Sequence, residues 1–189
     1  MDQFFHIRML VSMIVSLSMA HLLKGVAKII EHPKRKEIYW VHLLWVFYMF
    51  IQIIDFWWWE FRLKRVIGWN FGSYCFIILY IVLFYIICSL AFPDDMSDYQ
   101  SYKDYFYKRK HWFFSFLAAI FLVDIGDTLL KGTEYFKSLG TEYIVRNVVH
   151  IVLFLIAARS KNERFQMILV VVALLYSVSW ILRKYLFFE

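Results

Sequence analysis

Asp124 and Asp127 stand three residues apart, and Arg146 and His150 four apart. On a helix each spacing puts both side chains on one face. Carboxylates beside a guanidinium and an imidazole can hold a cation or exchange protons with a chain of waters. Asp55 belongs with them, so Asp55, Asp124, Asp127, Arg146 and His150 form the expected ion or proton path. Asp124 and Arg146 are each eleven residues from Tyr135, at the centre of the turn between two apolar stretches. Antiparallel neighbours joined there carry both residues at similar depth, which predicts an Asp124–Arg146 ion pair. Asp127 is then left free to bind a proton or cation.

His21, Lys24 and His42 flank the first connector and form a possible second polar site. With His111, the two histidines fall on the same predicted side. Three imidazoles could converge on a metal or a haem iron. Their spacings match no HExxH or HxxxH pattern, so no cofactor or metal site is expected. His42 precedes Asp55 by thirteen residues and His111 precedes Asp124 by thirteen, an echo that a parallel internal repeat would leave. Signals for other chemistry are missing: the sequence holds no Gly-rich phosphate loop, GxSxG or CxxC. Cys75 and Cys88 lie about 20 Å apart along one helix, too far to pair.

These groups need apolar elements to carry them. Residues 4–30, 38–61, 69–92, 111–131, 139–159 and 165–188 are each apolar over the roughly 17–25 residues needed to cross a hydrocarbon core about 30 Å thick. Backbone groups at that depth must bond within their own segment, which selects helices. The hydrophobic share is 62% and the aromatic share 22%, more than a soluble core of 189 residues can hide. Arg8, the apolar run after it and Ser18-Met19-Ala20 imitate a signal peptide. The apolar pattern continues through Leu22, Leu23 and Val26, so this stretch reads as the first span. The fold class is therefore all-α: a polytopic membrane protein, one domain over 1–189, with six transmembrane helices and short loops. Residues 93–110 are the longest connector. Pro93 stops a helix, and Asp94, Asp95 and Ser97 can cap a new one. Tyr99, Tyr102 and Phe106 then predict a short interfacial amphipathic helix.

The net charge of +6 comes from small clusters at span ends, not from a nucleic-acid face. Twelve Lys and Arg lie on the side of residues 31–37, 93–110 and 159–164, against eight on the other. The bias predicts both termini outside, in a bacterial inner (plasma) membrane. Tyr39-Trp40, Trp57-Trp58-Trp59, Trp69 and Trp112 read as interfacial belt residues. Ser12, Ser16 and Ala20 repeat every four residues, a small-residue stripe suited to a close helix neighbour in this chain or a second copy. The expected partners are membrane lipids and another copy of the chain, with no nucleic acid.

Three function classes follow. A small channel or proton-coupled transporter, the leading expectation, requires a hydrated crevice at Asp124 and Arg146. A membrane-embedded sensor or accessory module holding a lipid, quinone or cofactor requires a dry polar clamp there and a lateral groove. An intramembrane enzyme acting on lipid requires His21 or His150 beside a carboxylate.

Overall fold

The computed structural model describes residues 3–66 and 68–185. It contains α1 (Gln3–Glu31), α2 (Trp40–Trp59), α3 (Phe71–Ala91), α4 (Tyr102–Leu130), α5 (Thr133–Ser138), α6 (Gly140–Arg159) and α7 (Glu163–Tyr185), with a 3-10 turn at Glu60–Arg65. All but α5 are long and apolar enough to cross a membrane. The expected end of the last span at residue 188 lies outside the described residues.

The helices pair mainly as α4 on α6, α1 on α3, α3 on α4 and α2 on α7. Were these helices to cross a membrane, close packing and polar contacts, not burial from water, would hold the bundle together, since a lipid tail is as apolar as leucine. The packing is aromatic at its centre. The Trp45 ring of α2 meets Phe114 of α4 at 4.9 Å and Phe154 of α6 at 5.9 Å. Outward faces of α6 and α7, such as Val148, Val152 and Leu175, are exposed and suit a lipid surface.

The small-residue stripe of α1 faces outward: Ser16 and Ala20 are exposed. The helix packs instead through Val11, Val15, Ser18 and Leu22, which are buried. Gly25 lies on the packed side, where an added Cβ would fall inside the Phe92 ring. The small residue that permits close approach is this glycine.

The expected interfacial helix does not form as a separate element. Residues 93–101 are irregular, and Tyr102–Lys110 are the first turns of α4. Ser101 supplies the cap, its Oγ accepting from the Asp104 backbone N–H at 3.2 Å. No Pro or Gly interrupts residues 102–125, so a helix started at Ser101 runs on into the span. Tyr102, Tyr105 and Phe106 pack into the bundle rather than lying on its surface.

Connectors cluster at two ends, as an up-and-down bundle requires. At one end Lys28 Nζ donates to the Asp94 carbonyl at 3.0 Å, and Lys103 pairs with Glu163 at 2.5 Å. At the other, Arg8 lies 4.5 Å over the Phe61 ring, and Arg183 pairs with Glu142 at 2.6 Å. Helix α4 turns back there through Gly132 and Gly140, whose φ values of 126° and 74° suit glycine.

Candidate functional site

The Asp124 carboxylate is held on three sides. Its Oδ2 accepts from Tyr143 at 2.7 Å and from Asn147 Nδ2 at 3.0 Å, and its Oδ1 accepts from Tyr80 at 3.3 Å. The Tyr143 hydroxyl has one proton, so Thr128 Oγ1 at 2.8 Å donates to it. Tyr143, Asn147, His150 and Phe154 form one buried stripe of α6 facing α4.

Arg146 is not on that stripe, and the expected Asp124–Arg146 ion pair does not form. Among the described residues no carboxylate approaches its guanidinium within 4 Å. The cation instead lies 4.5 Å from the Trp180 ring centre and 5.4 Å from Phe121. Asp124 and Arg146 do lie at one level of the α4–α6 pair, but one residue along a helix is a rotation of about 100°. That rotation gives Asn147 to Asp124 and turns Arg146 toward α7. Asp55, Asp124 and Arg146 still line one cavity of about 20 Å³, room for about one water. The Tyr185 hydroxyl donates to Asp55 Oδ1 at 3.0 Å.

This geometry predicts the outcome of a double-mutant cycle. Asp124→Asn and Tyr143→Phe share a hydrogen bond, so their stability losses in detergent should be non-additive by about 0.5–3 kcal/mol. Asp124→Asn and Arg146→Gln share only the small cavity and the Tyr143 ring, so their coupling should be weaker than that of the first pair. Strong coupling in the second cycle would restore the ion pair.

Asp127 is not free. Lys131 Nζ sits 2.5 Å from Asp127 Oδ2 and 2.8 Å from Glu60 Oε1. Side-chain exposures of 1% for Lys131, 0% for Asp127 and 5% for Glu60 make this a buried triad. The Trp59 ring covers the ammonium at 5.7 Å, so Trp59 is core, while Trp58 is exposed as a belt residue should be. Glu60 and Lys131 lie at the ends of the apolar runs 38–61 and 111–131, outside the expected path. The signal that could have found them is the i, i+4 spacing of Asp127 and Lys131.

The histidines serve helix ends. His42 Nε2 lies 2.6 Å from the Ala91 carbonyl and His21 Nε2 lies 3.3 Å from that of Phe92, while Tyr105 donates to Leu90 at 2.8 Å. Together they satisfy the carbonyls left open where α3 stops before Pro93. His42 is buried against Tyr102, with ring centroids 5.6 Å apart, whereas His111 is exposed. The two members of the apparent repeat thus differ in role. No group of three His, Cys, Asp or Glu side chains suited to a metal occurs among the described residues. The end of α6 is closed in a similar way by Lys110, whose Nζ donates to Ala158 at 2.7 Å, and by Gln166, which donates to Ala157 at 2.9 Å. Lys110, Gln166, Gln52 and Asn147 are polar residues that spacing alone did not single out.

No protein-family model, curated protein or solved structure matches the chain.

Arg146 and His150 also line a second space. Helices α6 and α7 meet sparingly, leaving a groove of about 290 Å³ between them. Its walls are apolar: Val149 and Leu153 from α6, and Leu169, Val172 and Ala173 from α7. The lining runs from Glu142 to Phe154, about 18 Å of rise along α6. His150 stacks on Phe121 at 4.5 Å, and its Nδ1 lies 2.7 Å from the Arg146 carbonyl. Nδ1 must carry the hydrogen there, which makes Nε2 the acceptor. Among the described residues neither His21 nor His150 hydrogen-bonds a carboxylate; their ring nitrogens meet the Phe92 and Arg146 carbonyls.

Proposed function

We propose that the protein is an integral membrane binding module whose α6–α7 groove takes an amphipathic ligand of the lipid class. The acyl tail lies along Val149, Leu153, Leu169 and Val172, and an anionic head accepts hydrogen bonds from Arg146. The observation that carries this reading is the state of Arg146. Its guanidinium has five donors, and among the described residues none of them is hydrogen-bonded. An intramembrane cation needs a partner, and ring faces offer only about 0.5–2 kcal/mol. The groove supplies room for one at that point. Such a module acts as a sensor or accessory subunit, and the Lys/Arg bias of its loops supports an orientation with both termini outside.

A proton-coupled carrier is the second reading. Arg146 favours it in one respect, since the same side chain lines the inner cavity with Asp55 and Asp124. Asp127, the carboxylate expected to cycle, is occupied by Lys131. Proton flux into liposomes that disappears in Arg146→Gln would decide for the carrier.

The test of the module is to fill the groove. Val172 is 54% exposed and lines it, so Val172→Trp adds bulk without entering the core. Native mass spectrometry in mild detergent, with an anionic phospholipid added, should show lipid adducts reduced about tenfold in Val172→Trp, with melting unchanged. That factor corresponds to about 1.4 kcal/mol of lost binding. Equal adducts in both proteins would refute the groove as the site.

A further inference from the structure

At the opposite end of the bundle lies a basin of about 210 Å³. It is framed by the last turns of α1, the connector to α2 and the segment after Pro93. Four cationic side chains line it, Lys24, Lys28, Arg35 and Lys36, with three carboxylates, Glu31, Asp94 and Asp95. Several of these have structural work. Lys28 Nζ donates to the Asp94 carbonyl at 3.0 Å, and Lys36 Nζ to that of Tyr99 at 2.5 Å. The Asp95 carboxylate accepts from Ser97 Oγ at 2.7 Å and from the Ser97 backbone N–H at 3.1 Å, which holds it below the usual carboxylate range. These bonds tie the loop over α1.

The remaining charges are not hydrogen-bonded, though Arg35 acts on the Asp95 carboxylate through space. Among the described residues, the side chains of Lys24 and Arg35 make no hydrogen bond or ion pair, and neither do the carboxylates of Glu31 and Asp94. Two cations and two anions therefore share one concavity without neutralising each other. The basin sits where span ends meet the headgroup layer. A plain anion would satisfy Lys24 and Arg35 but would face both carboxylates and the carbonyl ends of α1 and α3, which carry partial negative charge. A plain cation meets the converse difficulty. A molecule bearing both charges satisfies both sets.

We propose that this basin binds a zwitterionic phosphate–ammonium group, the phosphate on Lys24 and Arg35 and the ammonium on Glu31 and Asp94. Guanidinium and ammonium donors suit a phosphodiester, and carboxylates suit a primary amine. This chemistry occurs in the head group of a lipid and in a free aminoalkyl phosphodiester. The site is separate from the α6–α7 groove, and its ligand is recognised by the head alone.

The test uses the full chain in detergent and three probes. Phosphatidylethanolamine carries both charges, phosphatidylglycerol carries phosphate without the amine, and glycerophosphoethanolamine is the head without tails. Binding is read by native mass spectrometry for the wild type, Lys24→Gln/Arg35→Gln and Glu31→Gln/Asp94→Asn. All four positions are exposed at the surface, so melting, followed in parallel, should not change. The wild type should retain phosphatidylethanolamine about tenfold better than phosphatidylglycerol, the effect of about one charge-assisted hydrogen bond. Lys24→Gln/Arg35→Gln should weaken both lipids, and Glu31→Gln/Asp94→Asn should abolish the preference between them. Displacement of the lipid by glycerophosphoethanolamine would make the free head group a ligand, and lipid-only binding would make the bilayer its source. Equal retention of both lipids by the wild type, or a preference untouched by Glu31→Gln/Asp94→Asn, would overturn the proposal. Val172→Trp should leave this preference intact, which separates the basin from the groove.

Discussion

Lys131→Met should be the most destabilising single substitution in this chain, by about 3–5 kcal/mol, because it strands two buried carboxylates. Asp127 and Glu60 have side-chain exposures of 0% and 5%, and each gives one oxygen to the Lys131 ammonium. Their other oxygens, Asp127 Oδ1 and Glu60 Oε2, have no partner among the described residues. Without the ammonium, two like charges face each other in a medium that solvates neither. Removing all three charges together, in Lys131→Met/Asp127→Asn/Glu60→Gln, should recover most of the loss, as replacing a whole buried ion cluster is often nearly neutral. Thermal unfolding in detergent measures both. A single mutant that melts with the wild type, or a triple mutant worse than the single, would show that the triad does not hold the turn after α2 against the end of α4.

Arg146→Gln should behave in the opposite way. It removes a cation with no ion pair within 4 Å among the described residues, so melting should fall less than in Lys131→Met, by about 1–2 kcal/mol from lost ring contacts and from the field of Asp55 and Asp124 across the shared cavity. Ligand retention in the groove should fall about tenfold or more, the value of a charge-assisted hydrogen bond to the head. Arg146→Lys should restore it only in part, because an ammonium lacks the planar fork that meets an anion with two parallel bonds. Native mass spectrometry with an anionic phospholipid gives retention, and the same preparation gives melting. If Arg146→Gln instead collapsed the fold while leaving adducts unchanged, Arg146 would be part of the Asp124 clamp and the groove would be ordinary lipid-facing surface.

The contrast between these two cations shows where sequence reading reaches its limit. Run length and composition placed the long apolar helices well: residues 139–159 were expected and Gly140–Arg159 is found. The depth of the polar groups was also legible, since it depends only on counting from a turn. Their azimuth was not. Asp124 takes Asn147, not Arg146, because a single step along α6 swings a side chain from the α4 face toward α7. The stripe of Tyr143, Asn147, His150 and Phe154, at intervals of four, three and four, carried that information, but charge drew attention to Arg146 first. Connectors misled in a different way. Asp94 and Asp95 offered capping chemistry, yet Ser101 caps α4 and absorbs the expected surface helix into the span. Lys131 is 71 residues from its partner Glu60, and only the fold brings them within 2.8 Å.

The central claim is that an anionic amphiphile in the α6–α7 groove completes Arg146. The most direct measurement is an electron cryomicroscopy map of the protein in nanodiscs containing anionic phospholipid. Elongated density between α6 and α7, ending in a head group within hydrogen-bond distance of Arg146, is the predicted result. A map with ordered side chains, an empty groove and Arg146 bonded to Asp55 or Asp124 would contradict it.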